Sequence, residues 1–236
     1  MGTPTKLVFL CRRKRGITHA RYVELLLERH VPLALRHHPT LRKYIVNIVE
    51  ASPAEATPGT GEGSDGAVPA GQRFLDSIGE LYFDTLADFR ERLYASPESR
   101  RIVEADVAGF MGQVAAYVVE EVVVRPCPHP SVIGRRSPLE KLMTCLRRHQ
   151  SLDGERFNQI WHEHCAAQLS GGPETRVGLV RDIVTEHLSL QVPRWDGFET
   201  CHLAAGSDDP ESAGDRRRFV SGAASYRVAE YVQKLP

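Results

Sequence analysis

The chain has no net charge, because thirty basic residues are matched by thirty acidic ones over 236 positions. Without an excess of either sign it has no long-range field to gather nucleic acid or an anionic membrane surface. Cysteine is scarce and odd in number: Cys11, Cys127, Cys145, Cys165 and Cys201 include no CxxC spacing. That argues against a disulfide framework and a structural zinc site, and it suits a reducing compartment. No apolar stretch approaches the roughly 20 residues that cross a bilayer. The first fifteen residues place their apolar run ahead of their charges, the reverse of a secretory leader. A soluble, cytoplasmic protein is therefore expected. No glycine-rich loop follows a strand to cradle a nucleotide. Neither Ser221-Gly222 nor Ser170-Gly171-Gly172 sits in a GxSxG nucleophile elbow.

What is present is an ordinary core-forming composition, 42% hydrophobic and 25% charged, long enough for one large or two small domains. Basic runs at residues 12–15 and 216–218 read first as solvated surface and second as a phosphate or carboxylate site. Sliding the chain by 135 positions aligns two blocks without a gap. Lys6-Leu7-Val8 falls on Lys141-Leu142-Met143, and Arg12-Arg13 on Arg147-Arg148. Tyr22, Leu25 and Leu26 fall on Phe157, Ile160 and Trp161, and Val46-Asn47-Ile48-Val49 on Arg181-Asp182-Ile183-Val184. Later, Asp76-Ser77-Ile78 resembles Asp196-Gly197-Phe198, and Asp106-x-x-x-Phe110 resembles Asp215-x-x-x-Phe219. Preserved order through both halves makes the repeat.

Each half reads as strand, helix, strand, long connection, strand, helix, strand. Residues 7–11 and 44–49 are β-rich runs. Thr18 is a cap for a helix with Tyr22, Leu25, Leu26 and Leu33 on its apolar face. Residues 51–71 read as a mobile polar loop, and residues 78–83 as the third strand. Thr85 with Asp88 forms a capping box, and Ser96-Pro97 opens another helix. Residues 117–124 are the fourth strand. In the second half too few residues precede Phe219 for both helical segments, so a shortened or missing second helix is expected.

The turn Arg12-Arg13-Lys14 with Gly16-Ile17-Thr18, the helix end Glu28-Arg29-His30-Val31-Pro32-Leu33, Tyr44 to Asn47, Glu80-Leu81-Tyr82-Phe83, Ser96-Pro97, Asp106-x-x-x-Phe110 and Val118-Val119-Glu120 together resemble the EthD-type dimeric α+β barrel family. The resemblance covers nearly all of the first half and, more faintly, the second. It implies an α+β fold: two fused ferredoxin-like βαββαβ repeats, residues 1–126 and 138–236 joined by a linker at 127–137, with their sheets facing each other in an intrachain barrel. Association into a homodimer of fused barrels is a further expectation. The fold implies a pocket and leaves the reaction open.

Four positions on, His30 shares the apolar face of Leu26 and Tyr22, where a neutral imidazole can act as general acid or base. A core histidine is the plain alternative. Tyr44 could donate to a developing enolate or phenolate oxygen. Only one of Tyr44 and Asn47 can face the barrel, because strand positions alternate. By ungapped offset His30 falls on Cys165, and His164, one residue earlier, points about 100° away on an α-helix. His37 and His38 read as surface loop residues. The run Trp161-His162-Glu163-His164-Cys165 invites a metal, but two ligands on one face are not a site; haem finds no support beyond His30. The expected function is therefore a cofactor-independent enzyme that acts on a small aromatic or polyketide-like carbonyl compound by proton transfer. His30 and Tyr44 are its catalytic pair, with Tyr22, Leu26, Asn47, Trp161 and His164 lining the substrate. A non-catalytic carrier and a cofactor-free monooxygenase are the alternatives.

Overall fold

The computed structural model describes residues 4–51, 75–128, 132–171, 176–189, 194–204 and 216–236. Strand β1 (Thr5–Arg13) alternates cleanly, with Leu7 and Cys11 packed against helices on one side and Val8 and Leu10 in a second cluster on the other. A tight basic turn follows, in which Gly16 takes φ +89°, a backbone region that glycine enters without a Cβ penalty. Helix α1 (His19–Glu24) starts at Thr18, whose side chain accepts from Arg21 N at 3.2 Å. The helix then widens into a π-turn at Leu25–His30 before α2 (Val31–His37). Pro32 explains the widening: it has no N–H to donate and its ring crowds the carbonyl four residues back.

Strands β2 (Lys43–Ala51) and β3 (Ser77–Phe83) come next, then α3 (Leu86–Arg90) behind the expected Thr85–Asp88 capping box. Ser96 caps α4 (Pro97–Phe110), which leads into β4 (Met111–Arg125). The second half gives β5 (Glu140–Arg148), α5 (Gly154–Gly171), β6 (Arg176–His187), β7 (Gly197–Leu203) and β8 (Val220–Lys234). The expected loop over 52–71, Asp215 and the segment 205–215 expected to carry a shortened helix lie outside the described residues.

The expected pair of ferredoxin-like α+β units with facing sheets is corrected by the strand pairing. All eight strands form one closed antiparallel barrel in the order β1-β3-β2-β8-β5-β7-β6-β4, with comparatively little helix packed outside it. The joins between the halves are backbone ladders, β2 with β8 and β4 with β6, rather than a face-to-face stack. Alternation along a strand fixes which side chains face inward but says nothing about which edges meet. Closure won because it leaves no unpaired edge. Antiparallel pairing throughout brings the ends of β1 and β5 to the same rim as the starts of β3, β4, β7 and β8.

The barrel interior is layered. Toward that rim it is apolar, with Val8, Leu10, Val49, Ile78, Tyr117, Met143, Phe198 and Tyr226 in one buried cluster. Toward the opposite end the strands contribute polar side chains to a buried belt, described below. Among the described residues no helix is long and apolar enough to cross a membrane.

Candidate functional site

His30 stands at the end of the π-turn and is 8% exposed. Its Nδ1 lies 2.9 Å from Asp106 Oδ2, and its ring is tilted against Phe110 with centroids 5.7 Å apart. Arg29 Nε approaches Asp106 Oδ1 at 2.7 Å as an ion pair, without the alignment of a hydrogen bond. A carboxylate on Nδ1 orients an imidazole and leaves Nε2 as its working nitrogen. Nε2 meets no hydrogen-bonding partner among the described residues.

Tyr22, Leu26 and Tyr44 belong to the same buried cluster as Phe110, between the helices and the outer face of the sheet. Tyr22 exchanges a 2.7 Å hydrogen bond with Ser77 Oγ. Tyr44 is 5% exposed, burial pushes its phenol pKa up, and its hydroxyl has no partner among the described residues. Four of the seven sequence-predicted residues are thus brought into one layer. Asn47 is not with them: it faces the barrel interior, as alternation from Tyr44 requires.

Trp161 and His164 lie in the corresponding layer of the second half, far along the sheet order from His30. The indole Nε1 donates to Glu199 at 2.8 Å, and the ring lies against Gly197, where a Cβ would stand 2.5 Å from it. Glu199 also receives Arg216 and the Cys165 thiol, so this space is filled. Burial pushes the Cys165 pKa up, leaving a packed thiol rather than a ligand or nucleophile. His164 stacks on Phe219 at 5.2 Å, just as His30 stacks on Phe110. The expectation that these two histidines point differently is therefore corrected. A π-turn advances only about 80° per residue, so Leu26 to His30 comes round close to where three α-helical steps carry Trp161 to His164. His37 and His38 are also corrected: they end α2, with His37 on Ser99 and His38 buried on Leu93 O, where burial pulls its pKa down to about 4.

Asn47 joins the polar belt, donating to Ile78 O at 3.0 Å and Glu80 Oε1 at 2.8 Å. Lys6 Nζ meets Glu80 at 2.8 Å, Glu121 at 2.7 Å and Asp182 at 2.8 Å. Lys141 Nζ bridges Glu80 and Glu230, both at 2.7 Å, and Tyr82 donates to Glu121. Two ammonium groups face four carboxyl groups. Burial raises Asp182 first; Lys6 opposes that, the neighbouring carboxylates add to it, and its pKa stands at about 7. At Glu230 burial is overcome by the Lys141 ammonium and its hydrogen bonds, and the pKa falls to about 2.

Sequence reasoning missed Asp106 as a partner, although Asp106-x-x-x-Phe110 places acid and ring one helical turn apart on the face that meets His30. It also missed a second histidine–carboxylate pair, His19 Nδ1 to Asp76 Oδ1 at 2.9 Å. Asp76 in turn accepts from Arg13 N at 2.7 Å and from the Arg13 guanidinium. Burial alone would raise the Asp76 pKa, but these donors hold it below the usual value. Among the described residues no group of three His, Cys, Asp or Glu is placed to hold a metal ion.

Solved structures share the architecture. An anthrone oxidase-like protein superposes with TM-score 0.61 at 10% identity, covering 98% of this chain and 94% of its own. A protein of Fusobacterium nucleatum subsp. nucleatum, named for a monooxygenase, gives 0.56 at 6% identity with the same 98% and 94% coverage. At these identities the likeness is one of fold. No curated protein matches the chain. The family model for the EthD domain matches residues 14–113, the span holding His19, His30, Tyr44, Asp76 and Asp106, so over that span the chain is similar to the EthD family.

Proposed function

We propose that the protein is an enzyme that moves a proton on a small carbonyl compound without a cofactor, with His30 as general base and Asp106 as the residue that positions it. The observation that carries this reading is the His30 Nδ1–Asp106 pair, which leaves Nε2 without a partner among the described residues on the apolar layer to which Tyr44, Tyr22, Leu26 and Phe110 belong. A buried imidazole whose Nδ1 is held by a carboxylate is suited to take a proton next to a carbonyl near neutral pH. The neutral Tyr44 hydroxyl can then donate to the enolate oxygen that develops. Aromatic walls favour a flat aromatic or polyketide-like substrate. Dehydration, decarboxylation, cyclisation and isomerisation all pass through this step.

The names of the two fold neighbours favour a second reading on the same residues, in which the deprotonated substrate reacts with oxygen. Incubating a host small-molecule extract with wild-type protein and with His30→Ala, followed by mass spectrometry and an oxygen electrode, tests both. Conversion by the wild type alone supports the proton-transfer role, and conversion with oxygen uptake supports the second reading. A compound turned over equally by both proteins removes His30 from the mechanism.

A further inference from the structure

A cleft of about 800 Å³ opens at the rim where β1 ends, lined by the basic turn at residues 12–17 with Val49, Glu50, Leu75, Asp76 and Gln113. Its charge does not cancel. Arg13 is taken by Asp76 and Glu50 by Arg136, which leaves the guanidinium groups of Arg12 and Arg15 and the ammonium of Lys14 over the opening. Arg12 has only a 3.4 Å contact with Gln113 Oε1, and Lys14 only a backbone carbonyl, Ala108 O at 3.0 Å. Arg12 and Gln113 pair across the β1–β4 ladder, and strand alternation puts both on the side of Val8, Leu10 and Ala115, the apolar interior. Val49 and Leu75 form the floor, and both belong to that apolar cluster.

The same rim carries a second basic turn. Arg148 N donates to Asp196 Oδ2 at 3.0 Å and its Nε to Oδ1 at 3.2 Å, repeating the Arg13–Asp76 arrangement. Arg147 lies over the Trp195 ring at 5.6 Å. The barrel is thus apolar beneath this rim and cationic around it, while its excess buried carboxylates sit toward the opposite end. The turn is stiff as well as charged: a Cβ at Gly112 would come within 2.8 Å of Arg13 O, and Lys14 N donates to Phe110 O at 2.7 Å.

From this juxtaposition we infer that the cleft at the β1 rim is a binding site for a small organic anion, a carboxylate on an apolar and preferably aromatic body, with Arg12 and Arg15 holding the carboxylate and Val49 and Leu75 receiving the body. A guanidinium fork matches a carboxylate in two hydrogen bonds, and the apolar floor distinguishes such a ligand from a bare inorganic ion. The site does not rest on His30 and lies outside the layer that holds it.

The test is isothermal titration calorimetry on the full chain with salicylate, with uncharged salicylamide and with inorganic phosphate, alongside melting curves of each variant. Salicylate should bind, salicylamide should not, and binding should weaken as salt rises. Arg12→Gln and Arg15→Gln should each weaken salicylate by about tenfold or more at unchanged melting temperature. Arg12→Lys, which keeps the charge but loses the fork, should recover part of the loss. Arg36→Gln, on the exposed face of α2, should change nothing. The inference is overturned if salicylate fails to bind, if phosphate binds as tightly, or if Arg36→Gln matters as much as Arg12→Gln.

Discussion

Replacing Asp182 by asparagine removes one carboxylate from the barrel belt and should change how stability responds to pH. Asp182 is fully buried and shares Lys6 with Glu80 and Glu121, so one ammonium group faces three carboxylates. Its pKa of about 7, against about 3.9 for an unfolded aspartate, means that the native chain keeps a proton which the unfolded chain releases. Between about pH 4 and 7 the native state therefore binds more protons, and this group's contribution falls as pH rises. It is present in full below about pH 4 and lost through about pH 7, an effect of at most about 4 kcal/mol. His38 works in the opposite sense below its ordinary value, and the depressed Glu80, Glu121 and Glu230 change only in acid. All of these are common to both proteins, so the difference between variant and wild type isolates Asp182. In Asp182→Asn the new side chain can still accept from Lys6 through its carbonyl and donate to a neighbouring carboxylate through its amide. Urea unfolding of both proteins at about pH 5, 6.5 and 8 should show the difference moving in the variant's favour by about 3 kcal/mol across that range. A difference that stays flat would refute the claim that Asp182 holds a proton in the native barrel.

Gly197→Ala puts a Cβ 2.5 Å from the Trp161 ring and should destabilise the protein by about 1–3 kcal/mol, with a change in tryptophan emission as the indole leaves Glu199. Thr85→Ala removes the hydroxyl that caps Asp88 N while leaving the Thr85 N–H bond to Asp88, and should cost about 1 kcal/mol, measured as a melting-temperature drop of about 2–4 °C. Asp106→Asn should leave the fold intact while shifting His30 from the tautomer protonated on Nδ1, visible in the ¹⁵N shifts of its ring. Unchanged shifts would remove Asp106 as the group that orients His30.

Local structure was legible because local rules are strong. The caps at Thr18, Thr85 and Ser96 stand where their hydroxyls can reach an N–H three residues on, and strand alternation required Tyr44 and Asn47 to face opposite ways without saying which one faces inward. What alternation cannot carry is the identity of the partner strand. The ladders that close the barrel join residues as distant as Asn47 and Glu230, or Glu121 and Asp182, and no feature of either segment alone names the other. The belt was invisible for the same reason. Lys6, Glu80, Lys141 and Glu230 each read as an isolated charge on a strand; the β1–β3 and β5–β8 ladders set Lys6 by Glu80 and Lys141 by Glu230, and closure brings Lys141 to Glu80.

The histidines show how a single-residue error in helix phase can change a functional reading. Counting by 135 positions, with about 3.6 residues per turn assumed throughout, pairs His30 with Cys165 and turns His164 away. The clue against that count was Pro32, two residues after His30 in a segment otherwise fit for a regular helix. A proline there removes one bond of the helical ladder, and the turn before it relaxes into a π-turn, which absorbs one extra residue. With that residue taken up, His30 meets Phe110 as His164 meets Phe219. The two layers then differ in what surrounds the imidazole rather than in whether one is present. In the first half Tyr22, Leu26 and Tyr44 leave His30 with a free nitrogen, whereas in the second half Trp161, Glu199 and Arg216 fill the space.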